Sequence, residues 1–279
     1  MEPLIHRLSA WDGLPICVRE WNGGTAKPPL LALPGIVRTG ADFTFLAPHL
    51  LPGRRIIAID YAGRGRSGRS SDVRRYAPEA CVRDVMDACA ALHVHNAAVI
   101  GTSFGGLLAM GLAAARPGLL RAVVLNDIGP DIGSDGADFV RDFVARDPAL
   151  PDLDSCIALL RRMLPPMSLD NDEAWRRMAE LTFAPGADGR YHPLWDTRIA
   201  QLLSEPLPDL WSLFGALGHV PLLLVRGAVS NILLSGTVGR MQAVRPDMGV
   251  VTLPNIGHAP ILTEPPALAA ITAFLDEAA

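Results

Sequence analysis

What this chain lacks narrows its function first. It has no excess of basic charge: 25 Lys and Arg stand against 29 Asp and Glu, a net charge of −4. A nucleic-acid partner therefore gains no electrostatic attraction. No uninterrupted apolar run approaches the ~18 residues of a membrane-spanning helix, so no membrane association is expected. Met1 to Arg7 carries no basic start followed by an apolar stretch, so no secretory leader is expected. Cysteine is scarce. Cys17, Cys81, Cys89 and Cys156 are scattered without Cys-x-x-Cys spacing, the usage of buried thiols in a cytoplasmic protein rather than of a disulfide frame or a zinc site. There is no internal repeat and no low-complexity tract. Gly63-Arg64-Gly65-Arg66-Ser67-Gly68 is glycine-rich, but no Lys-Ser/Thr pair follows it and no helix starts at once, so it reads as a tight structural turn. With no metal-ligand cluster and no nucleotide loop, no metal and no other cofactor is expected.

What is present has the rhythm of an α/β protein of 279 residues, 49% of them hydrophobic. Leu4 to Ser9 and Leu14 to Glu20 are expected as strands around the turn Trp11-Asp12-Gly13. Pro28 to Leu33, Arg55 to Ile59, Ala97 to Ile100 and Arg121 to Leu125 are short continuous apolar runs, as strands covered on both faces should be. Helical stretches over Ala41–Leu51, Ala77–Leu92 and the segment ending at Arg116 separate them, an alternation that argues for a parallel sheet. From about Gly129 to Pro206 the rhythm changes. Helical fragments over Ala137–Arg146, Asp154–Leu164, Asp170–Leu181 and Trp195–Leu203 are broken by Pro and Gly, with no buried-strand run. Trp175 and Trp195 are candidates to anchor them on the core. Strand and helix then resume through Val220–Arg226, Ser235–Val244, Gly249–Leu253 and Glu264–Glu277.

One stretch carries chemistry. Gly101-Thr102-Ser103-Phe104-Gly105 lies between an apolar strand and a small-residue helix. G-x-S-x-G in that setting is a nucleophile elbow, a sharp turn whose strained backbone and close neighbours demand glycine. It places Ser103 at a helix N-terminus, where free N–H groups favour an anion. A serine hydroxyl is a poor nucleophile without a base. His258, in Ile256-Gly257-His258-Ala259-Pro260 after the last strand, is alone among the seven histidines in having a suitable context.

These residues resemble the α/β-hydrolase superfamily, in its serine-nucleophile, lid-bearing, esterase- or lactonase-like branch. The resemblance rests on Leu33-Pro34-Gly35-Ile36, Asp60-Tyr61-Ala62-Gly63-Arg64-Gly65-Arg66-Ser67, the Ser103 elbow, Leu125-Asn126-Asp127-Ile128-Gly129-Pro130 and the His258 loop, and spans nearly the whole chain. It implies a mostly parallel central sheet flanked by helices, with core over residues 1–130 and 207–279 and a helical cap over 131–206. It implies Ser103 as nucleophile, His258 as base, and the N–H groups of Phe104 and Ile36 as oxyanion donors. Arg38, two residues beyond Ile36, meets either an anionic substrate group or, on the preferred reading, a surface carboxylate. The expected activity is hydrolysis of a small carboxylic ester or lactone through an acyl-serine. A carbon–carbon bond hydrolase, a proline iminopeptidase-like enzyme and a non-catalytic ligand-binding homologue are the alternatives. Trp175, Leu181, Phe183, Trp195, Leu202 and Leu203 either line a pocket or pack the cap on the core.

The resemblance places the triad acid after the strand ending at Arg226, within Gly227-Ala228-Val229-Ser230-Asn231-Ile232-Leu233. There the carboxylate is replaced by the amide of Asn231. Three readings follow. A deliberate Asp→Asn replacement at 231 is preferred, because the surrounding Ser-x-Ile-Leu is otherwise typical. In the second, the acid has moved to Asp127. In the third, the chain is a catalytically weak binder.

Overall fold

A computed structural model describes residues 2–204 and 209–278; of the expected cap, positions 205 and 206 lie outside the described residues. Eight strands form one sheet in the order β1 (Leu4–Ser9), β2 (Pro15–Asn22), β4 (Arg55–Asp60), β3 (Leu30–Leu33), β5 (Ala97–Thr102), β6 (Leu120–Asn126), β9 (Leu222–Gly227) and β10 (Gly249–Leu253). The first two pairings, β1 with β2 and β2 with β4, are antiparallel, and every later one is parallel. The apolar runs become central strands because both faces are covered. In β3, Leu31 and Leu33 enter one core while Leu30 and Ala32 enter the other.

The helices complete these two cores. Cys81 and Val85 of α2 (Pro78–Ala91), Leu108 of α3 (Phe104–Ala115), Phe214 of α7 (Leu210–Gly215) and Met241 of α8 (Ser235–Val244) fill the first. Ala47 and Leu50 of α1 (Ala47–Leu50) and Ala267, Ile271 and Leu275 of α9 (Pro265–Ala278) fill the second. The spacing of four in α9 keeps those residues on one face; burying Ile271 and Leu275 contributes roughly 2 kcal/mol each. The expected helix over Ala41–Leu51 is instead a 3₁₀ turn, Gly40–Thr44, followed by the single α-turn α1. Thr39 caps the 3₁₀ turn by accepting from the Ala41 N–H, and Pro48, which has no N–H to donate to a preceding turn, sits at the start of α1.

Between β6 and β9 runs an inserted segment with α4 (Ser134–Val144), α5 (Leu153–Met163) and α6 (Asp172–Glu180). It also holds a short antiparallel hairpin, β7 (Phe183–Pro185) with β8 (Tyr191–Pro193), where only helical fragments were expected. Three-residue strands are too short to show an alternating pattern, so this pair left no periodic signal. Cys156, Leu160, Ala179 and Phe183 give the segment a small core of its own. Trp195 anchors it to the first sheet core, its indole N–H donating to the Val144 carbonyl at 2.9 Å. Trp175 does not reach the sheet; it packs within the segment, under Arg161. Leu202 and Leu203 pack on the first core.

The glycine-rich loop after β4 is the tight turn that the sequence implied. Asp60, fully buried, accepts from the Gly40 N–H at 2.8 Å, from the Arg66 N–H at 3.0 Å and from the Arg19 guanidinium. Gly65 has φ +54°, and a Cβ there would sit 2.4 Å from the Asp60 carboxylate. The loop's N–H groups are thus spent internally, that of Arg66 on this carboxylate and those of Gly63, Arg64, Gly65, Ser67 and Gly68 on backbone carbonyls, rather than offered to a phosphate.

Candidate active site

The site forms where β5, β6 and the loop after β10 end together. Ser103 follows β5 directly and has φ +51° and ψ −117°, a conformation that side chains rarely adopt. The strain is held from both sides: the Ser103 N–H donates to the Asn126 carbonyl at 2.9 Å, and the Ser103 carbonyl accepts from the Gly106 N–H at 2.8 Å. The second glycine of the motif is set by space. A Cβ on Gly105 would lie 2.0 Å from the Leu33 carbonyl oxygen. The elbow helix can therefore press on β3 only through a glycine.

His258 reaches this serine. Its Nε2 is 2.8 Å from Ser103 Oγ, and its Nδ1 is 2.8 Å from Asp127 Oδ2. Asp127 is fully buried at the residue after β6, and its other oxygen accepts from the Gly227 N–H at 2.9 Å. The three side chains form one continuous line from a buried carboxylate to a partly exposed hydroxyl. Asn126 secures the arrangement: its amide donates to the Pro260 carbonyl at 2.9 Å and to Thr102 Oγ1 at 3.1 Å, tying the histidine loop to the elbow.

Asn231 takes no part in this line. It is exposed beside α4, and its backbone carbonyl occupies the space that a Cβ on Gly133 or Gly136 would need. The expectation that position 231 is the partner of the histidine is corrected by the occupancy of His258 Nδ1, which Asp127 already holds. No Asp→Asn replacement is needed to explain an amide at an exposed position when the imidazole already has a carboxylate partner.

The oxyanion candidates lie on either side of Ser103. Phe104 is the first residue of α3, so its N–H has no partner within the helix. Ile36 follows Gly35, whose position is close enough that an added Cβ would stand 3.9 Å from the Ser103 Cβ. Among the described residues neither N–H makes an intramolecular hydrogen bond. Arg38 is engaged as the preferred reading held, by a carboxylate. It clasps Asp42 through Nε at 2.6 Å and through a terminal nitrogen at 2.8 Å, and its other terminal nitrogen donates to Thr182 Oγ1 of the inserted segment at 2.6 Å.

A cavity of about 610 Å³ opens over Ser103 and His258, between the sheet and the inserted segment. The inserted segment contributes mostly apolar side chains to it, among them Val140, Phe143, Leu160, Leu164, Met178 and Leu181. Of the candidate pocket residues, Leu181 lines the cavity, while Phe183 and Trp195 are buried in packing. The cysteines offer no rival nucleophile. All four are buried, and burial pushes Cys81 up to about 11 and Cys89 up to about 12. Among the described residues no group of His, Cys, Asp and Glu is arranged to hold a metal ion, and no helix is long and apolar enough to cross a membrane.

The family model for the alpha/beta hydrolase fold matches residues 28–265. The chain belongs to the α/β-hydrolase family. Among curated proteins it is similar to a 3-hydroxybutyrate-oligomer hydrolase of Cupriavidus necator, 31% identical over 91% of this chain and 90% of that one. It is also similar to a 2-(acetamidomethylene)succinate hydrolase of Mesorhizobium japonicum, 29% identical over 93% of this chain and 91% of that one. A crystal structure of an α/β hydrolase from Novosphingobium aromaticivorans superimposes with a TM-score of 0.92 at 36% identity, covering 99% of this chain and 98% of the other. These three relatives are hydrolases, and this α/β hydrolase has its serine, carboxylate and histidine in the chain order Ser103, Asp127, His258.

What sequence reasoning passed over is the support around the line. Asn126 and Gly227, both hydrogen-bonded to it or its loop, are conspicuous only once β6 and β9 are seen to end side by side. Thr182 gave no signal, because its contact with Arg38 spans 144 residues.

Proposed function

We propose that this α/β hydrolase cleaves a carboxylic ester with an apolar acyl part through an acyl-serine intermediate. The reading rests on one observation above all: the unbroken line Asp127–His258–Ser103, with both contacts at 2.8 Å, ending in an apolar cavity. His258 Nε2 accepts the Ser103 proton as Oγ attacks the carbonyl carbon. Asp127 holds the proton on Nδ1 and steadies the imidazolium that forms. The tetrahedral oxyanion is received by the Ile36 and Phe104 N–H groups, donors of a kind worth roughly 3 kcal/mol each. As the intermediate collapses, the leaving alkoxide takes the proton from His258. Water then attacks the acyl-serine with the same base, and Ser103 is released. The inserted segment acts as a cap that shields these steps from bulk water and lends the cavity an apolar wall. A curated relative named as an oligomer hydrolase of a hydroxy acid favours esters over amides. The cavity, within the ~300–1,000 Å³ range of small-molecule sites, suits a small ester.

The test is a panel of p-nitrophenyl acyl esters, lactones and short oligoesters, run together with fluorophosphonate labelling. Ester turnover with labelling that disappears in Ser103→Ala is expected. Labelling that persists in Ser103→Ala, or hydrolysis confined to carbon–carbon substrates, overturns the reading.

A further inference from the structure

Arg64 is only 1% exposed and, like Arg226, which donates to the Leu233 and Ala228 carbonyls, but unlike the other buried arginines, it has no carboxylate partner among the described residues. Arg19 is paired with Asp60, Arg75 with Asp12 and Asp84, and Arg54 lies 3.7 Å from Asp276. Among the described residues no carboxylate stands within ion-pair distance of Arg64. Its Nε donates to the Ile36 carbonyl and one terminal nitrogen to the Ala62 carbonyl, each at 2.8 Å, while the other terminal nitrogen has no partner. The guanidinium carbon lies 5.6 Å from the ring centre of Phe104, 5.8 Å from that of Tyr61 and 5.9 Å from that of Tyr76. An unpaired buried cation is costly, so what it holds deserves a functional account.

What it holds is the loop that presents Ile36. Three successive carbonyls of that loop are each occupied. Pro34 accepts from the Tyr61 hydroxyl at 3.1 Å, Gly35 from the Arg38 N–H at 3.0 Å, and Ile36 from Arg64. A peptide in this loop that flipped would turn a carbonyl toward Ser103 and replace a donor with an acceptor. The Gly35 carbonyl is on the same peptide as the Ile36 N–H, and Arg64 fixes the peptide that follows it. The guanidinium also packs on the ring of Phe104, the residue that bears the second candidate donor. Only an arginine can do all of this, because its planar fork reaches two carbonyls while its faces meet aromatic rings.

We propose that Arg64 is a positioning residue for the oxyanion site. It locks the Ile36 loop in the donor-inward conformation and sets a guanidinium without an ion-pair partner against the ring of Phe104. The proposal rests on the acyl-serine reading above. It implies that Arg64 acts on the transition state and not on substrate binding.

Arg64→Met removes charge and fork, and Arg64→Lys keeps the charge without the fork. Against a short-chain p-nitrophenyl ester, Arg64→Met should lose about 30- to 100-fold in kcat with KM within about threefold, somewhat less than the loss of a whole oxyanion donor. Arg64→Lys should recover part of that. The affinity of a boronic acid that forms a tetrahedral adduct with Ser103 should fall by the same factor as kcat/KM, which a merely structural role would not produce. A folded Arg64→Met with native kcat overturns the proposal, as does a fall carried by KM with boronate affinity unchanged. If neither variant folds, the native chain decides through the crystal structure of its phosphonate adduct. A phosphoryl oxygen accepting from the Ile36 N–H, with the Ile36 carbonyl still on Arg64, is the expected result; any other acceptor geometry overturns it. Failure of fluorophosphonate to label Ser103 in the native chain overturns the acyl-serine reading, and the role of Arg64 with it. Intact labelling beside an indifferent Arg64→Met overturns the role of Arg64 alone.

Discussion

Asp127 has φ +54°, a left-handed backbone that aspartate tolerates better than most residues, and this turn aims its carboxylate across the end of β6. Its two oxygens have different duties. Oδ1 takes the Gly227 N–H and Oδ2 faces His258 Nδ1. The backbone N–H can only donate, so an amide at 127 must turn its oxygen to Gly227 and its NH₂ to the imidazole. Nδ1 then becomes an acceptor, the proton moves to Nε2, and the tautomer that can deprotonate Ser103 is lost. Asp127→Asn should therefore lower kcat by roughly 10⁴ with little change in stability, a cost of the size known for this change in serine triads. Asn231→Asp should leave kcat within about threefold, since position 231 is exposed and His258 Nδ1 is already held by Asp127. Steady-state kinetics on the same ester for both variants checks the pair, and a rise of orders of magnitude in Asn231→Asp would return the acid to β9. Ser103 and His258 could be picked out of the sequence because each lies in a short local pattern. The choice between Asp127 and Asn231 could not be made there, because each lies in a loop that follows a parallel strand, Asp127 directly after β6 and Asn231 beyond the end of β9. Only the register of β6 against β9 decides which side chain faces the histidine.

At the scale of elements, the elbow is a strand–turn–helix unit whose shape is enforced by contact rather than by propensity. The helix α3 follows β5 without a side-chain cap, and it lies so near β3 that Gly105 meets the Leu33 carbonyl. That carbonyl belongs to a central strand and has no room to retreat. Gly105→Ala should thus destabilise the fold by about 2–3 kcal/mol or more, read as a lower urea midpoint with an unchanged slope. An unchanged midpoint would mean that α3 can lift from β3. Long elements follow the sequence closely for a related reason. The apolar runs of β3 to β6 and the helical spacing of α2 and α9 are repeated over several residues, and burial on both faces agrees with them. Short elements do not announce themselves. The hairpin of β7 and β8 and the 3₁₀ turn at Gly40–Thr44 are set by contacts with distant parts of the chain, such as the Leu150–Tyr191 bridge, which no local pattern encodes.

In the whole molecule, the line Ser103–His258–Asp127 comes from the ends of the sheet strands and one side of the cavity comes from the inserted segment, so on the proposed reading chemistry and much of the selectivity reside in different layers. The two layers are joined near the site. The Gly257 N–H donates to the Pro166 carbonyl at 2.8 Å, Ser168 and the Ile261 N–H share one oxygen of Glu264, and Arg38 reaches Thr182. The position of the apolar wall relative to Ser103 is thereby fixed by polar contacts at its rim. A bulky side chain on the inserted segment should then shorten the acyl chain that fits, without disturbing the line of catalytic groups. Ala174 of α6 lines the cavity and touches none of Ser103, His258 or Asp127 through a hydrogen bond. Ala174→Trp is expected to lower kcat/KM for octanoyl esters by at least about tenfold, since even one methylene in an apolar pocket is worth that much. Acetyl esters should keep their kcat/KM within about threefold if their short acyl group stays clear of α6. A chain-length series of p-nitrophenyl esters on both proteins reads the difference directly. An equal loss for acetyl and octanoyl esters would mean that the rim contacts had shifted and carried the histidine loop with them. No loss for either would place the acyl chain against the sheet side of the cavity, toward Phe43 and Leu46.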